Sequence, residues 1–196
     1  MFQGCRGMKE VEALIDKAKK FKESGLTVLE IADELNVSKE TAEWLLSKGD
    51  KKKPAGDVKI GWRSVGVYPS RLSFISDALC DVVLEECEDV ETIVGIAING
   101  IPIATQVADK LGLEMAVFRP HDVKSGAFSS NYASVKDKKV IIVDDVTGTG
   151  NTFKMALKAT KKEGGKPVLC LAVVNKSARN KVNSTPLRAL IRARMI

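Results

Sequence analysis

An apolar run that ends in two acids and a glycine–threonine string limits this chain more than anything else in it. Residues 140–143, VIIV, lead into Asp144, Asp145 and Val146, and then into TGTGNT, residues 147–152. Four branched apolar residues in a row fit a strand buried on both faces, the kind found in parallel sheets covered by helices. Each later part has a chemical use. Two carboxylates at a strand end accept hydrogen bonds from vicinal hydroxyls such as those of a ribose. Gly148 and Gly150 let the backbone curl so that successive N–H groups turn inward. Thr147, Thr149 and Thr152 add hydroxyl donors, and a helix opening at Thr152 offers the positive end of its dipole to an anion. Carboxylates for a sugar beside an amide cup for a phosphate describe a site for a sugar phosphate. A strand ending in two acids also resembles a Walker B strand, but the partner pattern GxxxxGK[ST] does not occur. The dinucleotide pattern GxGxxG fails because Phe153 stands in its last place.

The rest of the chain from Val58 alternates strand and helix. The periodicity predicts a helix over 72–86, a buried strand over 92–98 (TIVGIAI), a helix over 102–111 and a strand over 114–118. A long loop follows over 119–134, then a strand over 140–143, a helix over 152–163 and a strand over 167–174. Such alternation implies a parallel sheet with helices on both faces and ligands beyond the carboxyl ends of the strands. Residues 8–48 read differently, as three short helices. Val11, Leu14, Ile15, Ala18 and Phe21 recur at helical spacing, and Gly25 ends that helix. Thr27 opens a capping box with Glu30, and Ile31, Ala32 and Leu35 face inward. Asn36 makes the turn, Ser38 caps the third helix, and Ala42, Leu45 and Leu46 face its core. Residues 49–57, GDKKKPAGD, are polar, charged and broken by Pro54, as a linker is. The expected division is 8–48, a linker at 49–57, and 58–196.

Charge and cysteine usage narrow the function classes. The chain of 196 residues carries a net charge of +6. Residues 1–57 hold 11 basic and 11 acidic residues, so the whole excess lies in the larger part, where a polyanionic small ligand would use it as well as DNA would. The four cysteines form no CxxC pair, which argues against zinc and a disulfide framework and for a reducing cytosol. The first residues, MFQGCRG, lack the apolar core of a signal peptide, and no run is long enough to span a membrane. If Met8 is the true start, the first seven residues form an unstructured extension.

The string VIIVDDVTGTGNT resembles the signature of type I phosphoribosyltransferases, which bind 5-phosphoribosyl-1-pyrophosphate (PRPP). That resemblance implies that Asp144 and Asp145 contact the ribose hydroxyls. It implies that Val146, Thr147, Gly148, Thr149, Gly150, Asn151 and Thr152 hold the 5′-phosphate. Residues 97–102, AINGIP, resemble the pyrophosphate loop of the family, with Ile98, Asn99 and Gly100 as ligand residues and a non-proline cis peptide near Asn99. Residues 119–132, RPHDVKSGAFSSNY, occupy the place of the mobile loop that closes over pyrophosphate, with Arg119, His121 and Lys124 as its cations. His121 and Lys124 join the two acids as candidate catalytic groups. Orotate enzymes carry an Asp-Arg pair after the next strand. Here the strand ends in Val174, Asn175, Lys176 and Ser177, so Lys176 is the candidate for the base, closer to the purine enzymes. Mg²⁺ is implied as a companion of PRPP, with no metal site made by protein side chains alone.

Residues 27–46, TVLEIADELNVSKETAEWLL, resemble a helix-turn-helix DNA-binding motif. Ala32 lies where the helices cross, Val37 is buried and Leu45 locks the second helix. The start of that helix would enter the major groove, which makes Ser38, Lys39, Glu40, Thr41 and Glu43 the candidates for DNA contact, with Lys48 and Lys51, Lys52 and Lys53 near phosphates. A three-helix unit used for protein contacts is the alternative, favoured by the neutral charge of this part.

The whole chain resembles an archaeal group in which a helix-turn-helix without a wing is fused to an orotate-phosphoribosyltransferase-like domain. The implied fold class is α/β: a three-helix unit, then a type I phosphoribosyltransferase fold with a parallel sheet flanked by helices and a small hood. The implied function is a cytoplasmic, homodimeric, DNA-binding transcriptional regulator that senses PRPP or a related nucleotide. The alternative is an active phosphoribosyltransferase of nucleotide metabolism, a glycosyltransferase passing the pentose to orotate or a purine base. The tail, residues 186–196, alternates apolar and basic residues and fits an edge strand of the hood or a dimer contact.

Overall fold

The computed structural model describes residues 4–47, 58–121 and 125–194. The chain divides into two compact units, the second spanning Arg63–Arg194. The first unit contains three helices: α1 (Gly4–Glu23), α2 (Val28–Leu35) and α3 (Lys39–Leu46). Helix α1 starts at Gly4, so residues 4–7 are helical and not the unstructured extension expected before Met8. Gly25 ends the first helix with a φ of +91°. At α2 the capping box is complete: the Thr27 hydroxyl accepts the Glu30 N–H, and the Glu30 carboxylate takes the Thr27 N–H at 2.7 Å. Asn36 turns the chain in the left-handed region, φ 51°, and Ser38 accepts the Thr41 N–H at 3.1 Å to open α3. Ala18, Ile31, Ala32, Leu35, Ala42 and Leu45 make the core of this unit. Val37, expected to be buried, is half-buried and packs against that core from the turn, as does Leu46 from the end of α3.

The second unit opens with α4 (Arg63–Gly66) and α5 (Pro69–Glu86), followed by β1 (Thr92–Ile96), α6 (Gly100–Leu111) and β2 (Glu114–Pro120). Then come β3 (Gly126–Phe128), β4 (Lys139–Thr147), α7 (Asn151–Lys162), β5 (Lys166–Asn175), β6 (Lys181–Val182) and β7 (Thr185–Arg192). The strands form one sheet in the order β3-β2-β1-β4-β5-β7-β6. The five central strands are parallel, and the two edges are antiparallel. Alternate positions of β1, β2, β4 and β5, among them Val94, Phe118, Ile142 and Ala172, pack with Phe153, Ala156 and Leu157 of α7. The intervening positions, such as Ile93, Ile141 and Leu169, are also fully buried, and α6 contacts β1, β2 and β4 while α5 contacts β5 and β7. A sheet sealed on both faces needs apolar residues at every position, which is why these strands read as continuous runs.

Three expectations about elements are corrected. The stretch 119–134 is not a loop throughout: β2 continues to Pro120, and β3 returns antiparallel to it, joined by an edge-on contact of Phe118 and Phe128 with ring centres 5.5 Å apart. Strand β4 does not stop at Val143 but pairs with β5 as far as Thr147 opposite Asn175, so both acids lie in extended backbone. The tail is not an edge strand of a hood: β7 extends the main sheet parallel to β5. No strand among the described residues forms a separate hood. Nor is any described helix long and apolar enough to cross a membrane.

Candidate phosphoribosyl site

Near its carboxyl end β4 carries Asp144 and Asp145, and beyond Thr147 the chain turns into α7. Asp145 is only 5% exposed. Its carboxylate accepts the Val146 N–H at 2.7 Å and the Asn99 side-chain amide at 3.0 Å. Asp144, half-buried, accepts the Asp145 N–H at 3.0 Å. Burial pushes the Asp145 carboxyl above its ordinary value. Hydrogen bonds from Val146, Asp144 and Asn99 draw it part of the way back. A buried carboxylate held this way has unspent acceptor capacity, which is what a diol binder needs.

The bond from Asn99 joins two segments 46 residues apart. Residues 97–99 lie between β1 and α6, with the Ala97 N–H bonded to the Phe118 carbonyl at 2.9 Å. The peptide between Ala97 and Ile98 is cis, near Asn99 as expected. Gly100 begins α6 directly against β4: a Cβ there would stand 2.5 Å from the Val143 carbonyl oxygen and 3.3 Å from the Asp144 Cα. Only a glycine permits that approach. Ile98 is exposed and Asn99 half-buried, so this loop faces outward beside the acids.

Residues 147–150 form the curl before α7. Thr147 is buried and Thr149 exposed. Gly150 is the N-cap of α7 with a φ of +72°, a conformation that suits glycine, and brings no side chain to the helix end. The Thr149 hydroxyl accepts the Asn151 N–H at 3.4 Å, while Asn151 and Thr152 stand in the first turn. The helix start is thus left to backbone N–H groups and flanking hydroxyls, a suitable arrangement for a phosphate.

The structure places the remaining candidates unevenly. Lys176, read as a base contact, lies beside the phosphate string: its backbone N–H donates to the Thr147 carbonyl at 2.7 Å. A Cβ on Gly148 would be 3.7 Å from its Cε. Arg119 is exposed on β2 opposite Ala127, and the His121 N–H donates to the Ser125 carbonyl at 2.9 Å. Lys124, Lys48, Lys51, Lys52 and Lys53, like the linker at 49–57, fall outside the described residues. In the first unit, Ser38 and Thr41 spend their hydroxyls on each other at 2.9 Å, and Lys39 pairs with Glu43 at 3.3 Å, leaving Glu40 exposed. Sequence reasoning missed Arg179, whose guanidinium donates to the Thr149 carbonyl, and Asn175, the buried residue that holds the turn carrying it. The signal was there in the order Asn-Lys-Ser, since an Asn two residues before a Ser favours a side-chain-closed turn. Among the described residues no group of three or more His, Cys, Asp or Glu side chains is gathered for a metal ion. A divalent cation at this site would need the phosphates of the ligand as well as the two acids.

A sheet of this order with acids and a glycine cup at the tip of its fourth strand defines the phosphoribosyltransferase class of fold. Residues 77–191 match the family described as the phosphoribosyl transferase domain. Orotate phosphoribosyltransferase of Mycobacterium tuberculosis superposes with a TM-score of 0.59 at 18% identity, covering 68% of this chain and 77% of that one. An adenine phosphoribosyltransferase from Thermoanaerobacter pseudethanolicus gives 0.59 at 18%, covering 73% and 92%. At that identity the likeness speaks for the fold alone. Relatives that match almost the full length carry more. A protein of Thermoplasma acidophilum named transcriptional regulator GfcR is 47% identical over 195 residues, covering 96% of this chain and 98% of its own. One of the same name from Picrophilus torridus is 43% identical over 195 residues, covering 96% and 100%. The chain belongs to this archaeal family of transcriptional regulators with a phosphoribosyl transferase domain.

Proposed function

We propose that the chain regulates transcription by binding double-stranded DNA through its first unit and PRPP, or a related nucleotide, through its second. The observation that carries the ligand half is the 3.0 Å bond from Asn99 to Asp145, which joins the diol-binding acids to the neighbouring loop. A ligand with a sugar at its centre and phosphates at both ends would fill that junction. Asp144 and Asp145 take the ribose hydroxyls, residues 146–152 the 5′-phosphate, and Ile98, Asn99 and Gly100 the pyrophosphate, whose charge Mg²⁺ shares. In the DNA half, α2 and α3 act as a helix-turn-helix, with Ser38, Lys39, Glu40, Thr41 and Glu43 at the groove. A homodimer in the cytoplasm supplies the two-fold symmetry of an operator. Ligand shifts the dimer between two arrangements to the extent that it binds them unequally.

The test is a gel shift with DNA from upstream of the chain's own gene, with and without PRPP and Mg²⁺. The reading expects a specific complex whose midpoint moves with PRPP. No specific complex on any fragment would overturn the DNA half. A second reading, turnover, is favoured by the same junction, since an enzyme also needs the sugar and the leaving group held together. It predicts pyrophosphate release with orotate or a purine base, and silence across a panel of bases removes it.

A further inference from the structure

A strap of the chain runs along the phosphate string, and its contacts with the string come in register. The Lys176 N–H donates to the Thr147 carbonyl at 2.7 Å. The Arg179 guanidinium donates to the Thr149 carbonyl. Val182, 2% exposed, lies beside Gly150, where a Cβ would meet its Cγ2 at 3.7 Å and Arg179 Nη1 at 3.8 Å. Residues 147, 149 and 150 are thereby met in turn by 176, 179 and 182.

The strap is held from inside. Asn175 ends β5, is fully buried, and uses both ends of its side chain on the turn that follows. Its amide donates to the Arg179 carbonyl at 2.9 Å, and its oxygen accepts the Ser177 N–H and hydroxyl, each at 2.8 Å. The Ser177 hydroxyl in turn accepts the Arg179 N–H at 3.2 Å. A buried amide with its hydrogen bonds made fixes a backbone more tightly than an exposed loop fixes itself. The consequence is that Arg179 is exposed to solvent yet anchored at its backbone and at one of its five guanidinium N–H groups.

We propose that the turn 175–180 is a second wall of the phosphate cup, with Arg179 a ligand-binding residue for the 5′-phosphate and Asn175 its positioning residue. The assignment rests on the sugar-phosphate reading given above and adds to it a full positive charge. The string itself offers amides and hydroxyls, which carry partial charges only, whereas a phosphate monoester is close to dianionic at neutral pH. The Arg179 guanidinium and the Lys176 side chain lie within 4 Å of the Cβ positions of Gly150 and Gly148, so a phosphate seated over those glycines has both cations nearby. The wall therefore selects for a ligand phosphorylated at the 5′ end and is indifferent to what stands at C1.

The experiment is calorimetry of the intact chain and of Arg179→Gln and Arg179→Lys, with PRPP plus Mg²⁺, ribose 5-phosphate and inorganic pyrophosphate as probes. The expected result is that Arg179→Gln loses about tenfold to a hundredfold affinity for PRPP and ribose 5-phosphate. Its affinity for pyrophosphate stays the same, Arg179→Lys recovers part of the loss, and binding to Arg179→Gln falls less steeply with salt. Equal binding of ribose 5-phosphate by Arg179→Gln and the unaltered chain overturns the role of Arg179. So does an equal loss for all three probes together with a lowered melting temperature, which makes the residue a clamp on Thr149. If the unaltered chain captures none of the probes, the sugar-phosphate reading falls first and takes this one with it.

Discussion

The helices of the first unit and those at the strand tips of the second begin in opposite ways. Thr27 and Ser38 close the starts of α2 and α3 with their own hydroxyls, and Glu30 completes the first cap. Gly150 begins α7 without a side chain, and Asn99 before α6 spends its amide on Asp145 and caps nothing. The carboxylates differ in the same sense. The backbone and side-chain hydrogen bonds from Thr27 hold Glu30 below its ordinary value, whereas burial raises Asp145. Hydrogen-bond capacity is used up locally at the starts of α2 and α3. It is held back at the strand tips, where the proposed ligand would supply the partner. The caps of the first unit stabilise its helices, and the buried Asp145 carboxylate is kept at some expense to the fold.

The largest effect that sharpens this contrast is expected at Gly100. Gly100→Ala drives a Cβ into the Val143 carbonyl and costs about 1–3 kcal/mol. Thermal unfolding should show the loss, and calorimetry should show PRPP affinity falling with it, because the acids lie on the displaced strand. Removing the caps comes next. Thr27→Ala and Ser38→Ala each cost the first unit about 1 kcal/mol, read as helix loss by circular dichroism, and leave PRPP affinity unchanged. A change in PRPP affinity from either would break the separation of roles.

Asp145→Asn is a smaller effect with an informative sign. The folded-state carboxyl lies above its ordinary 3.8, so the folded state binds the proton more tightly than the unfolded one. The stability gained this way is complete below the unfolded value and lost as pH rises through the folded value. The neutral amide should therefore raise the melting temperature at pH 7, give no gain below pH 3.8, and still abolish ligand capture. A variant less stable at pH 7 would show that the carboxylate supports the fold after all. The opposite holds for Glu30: its contribution is present above the unfolded value and lost as pH falls through the folded one, so Glu30→Gln should matter at pH 7 and fade in acid. The smallest expected effect is none: burial in the sheet core pushes the Cys170 thiol up to about 12, so iodoacetamide at pH 8 should leave it unlabelled in the folded chain.

How legible these regions were follows from the range of the forces involved. Capping boxes, the Asn36 turn and the apolar run of β4 are set within a few residues, and the sequence shows them directly. Strand β3 is three residues long and exists because Phe128 finds Phe118, which no periodicity reveals. The extension of β4 through two acids to Thr147 depends on β5 alongside it, and the placement of β7 depends on the same strand. Arg179 escaped notice because its partner, Thr149, lies 30 residues away. Its backbone is fixed by an asparagine that reads as an ordinary strand end.

The central claim is that the acids and the uncapped helix start beyond β4 hold a phosphorylated pentose. It is tested most directly by titrating PRPP with Mg²⁺ into the intact chain and into Asp144→Ala/Asp145→Ala. Saturable binding at one site per chain, weakened at least about a hundredfold in the double variant while its unfolding stays cooperative, is the predicted result. Equal affinity in the two proteins, or no heat from the intact chain, would contradict it.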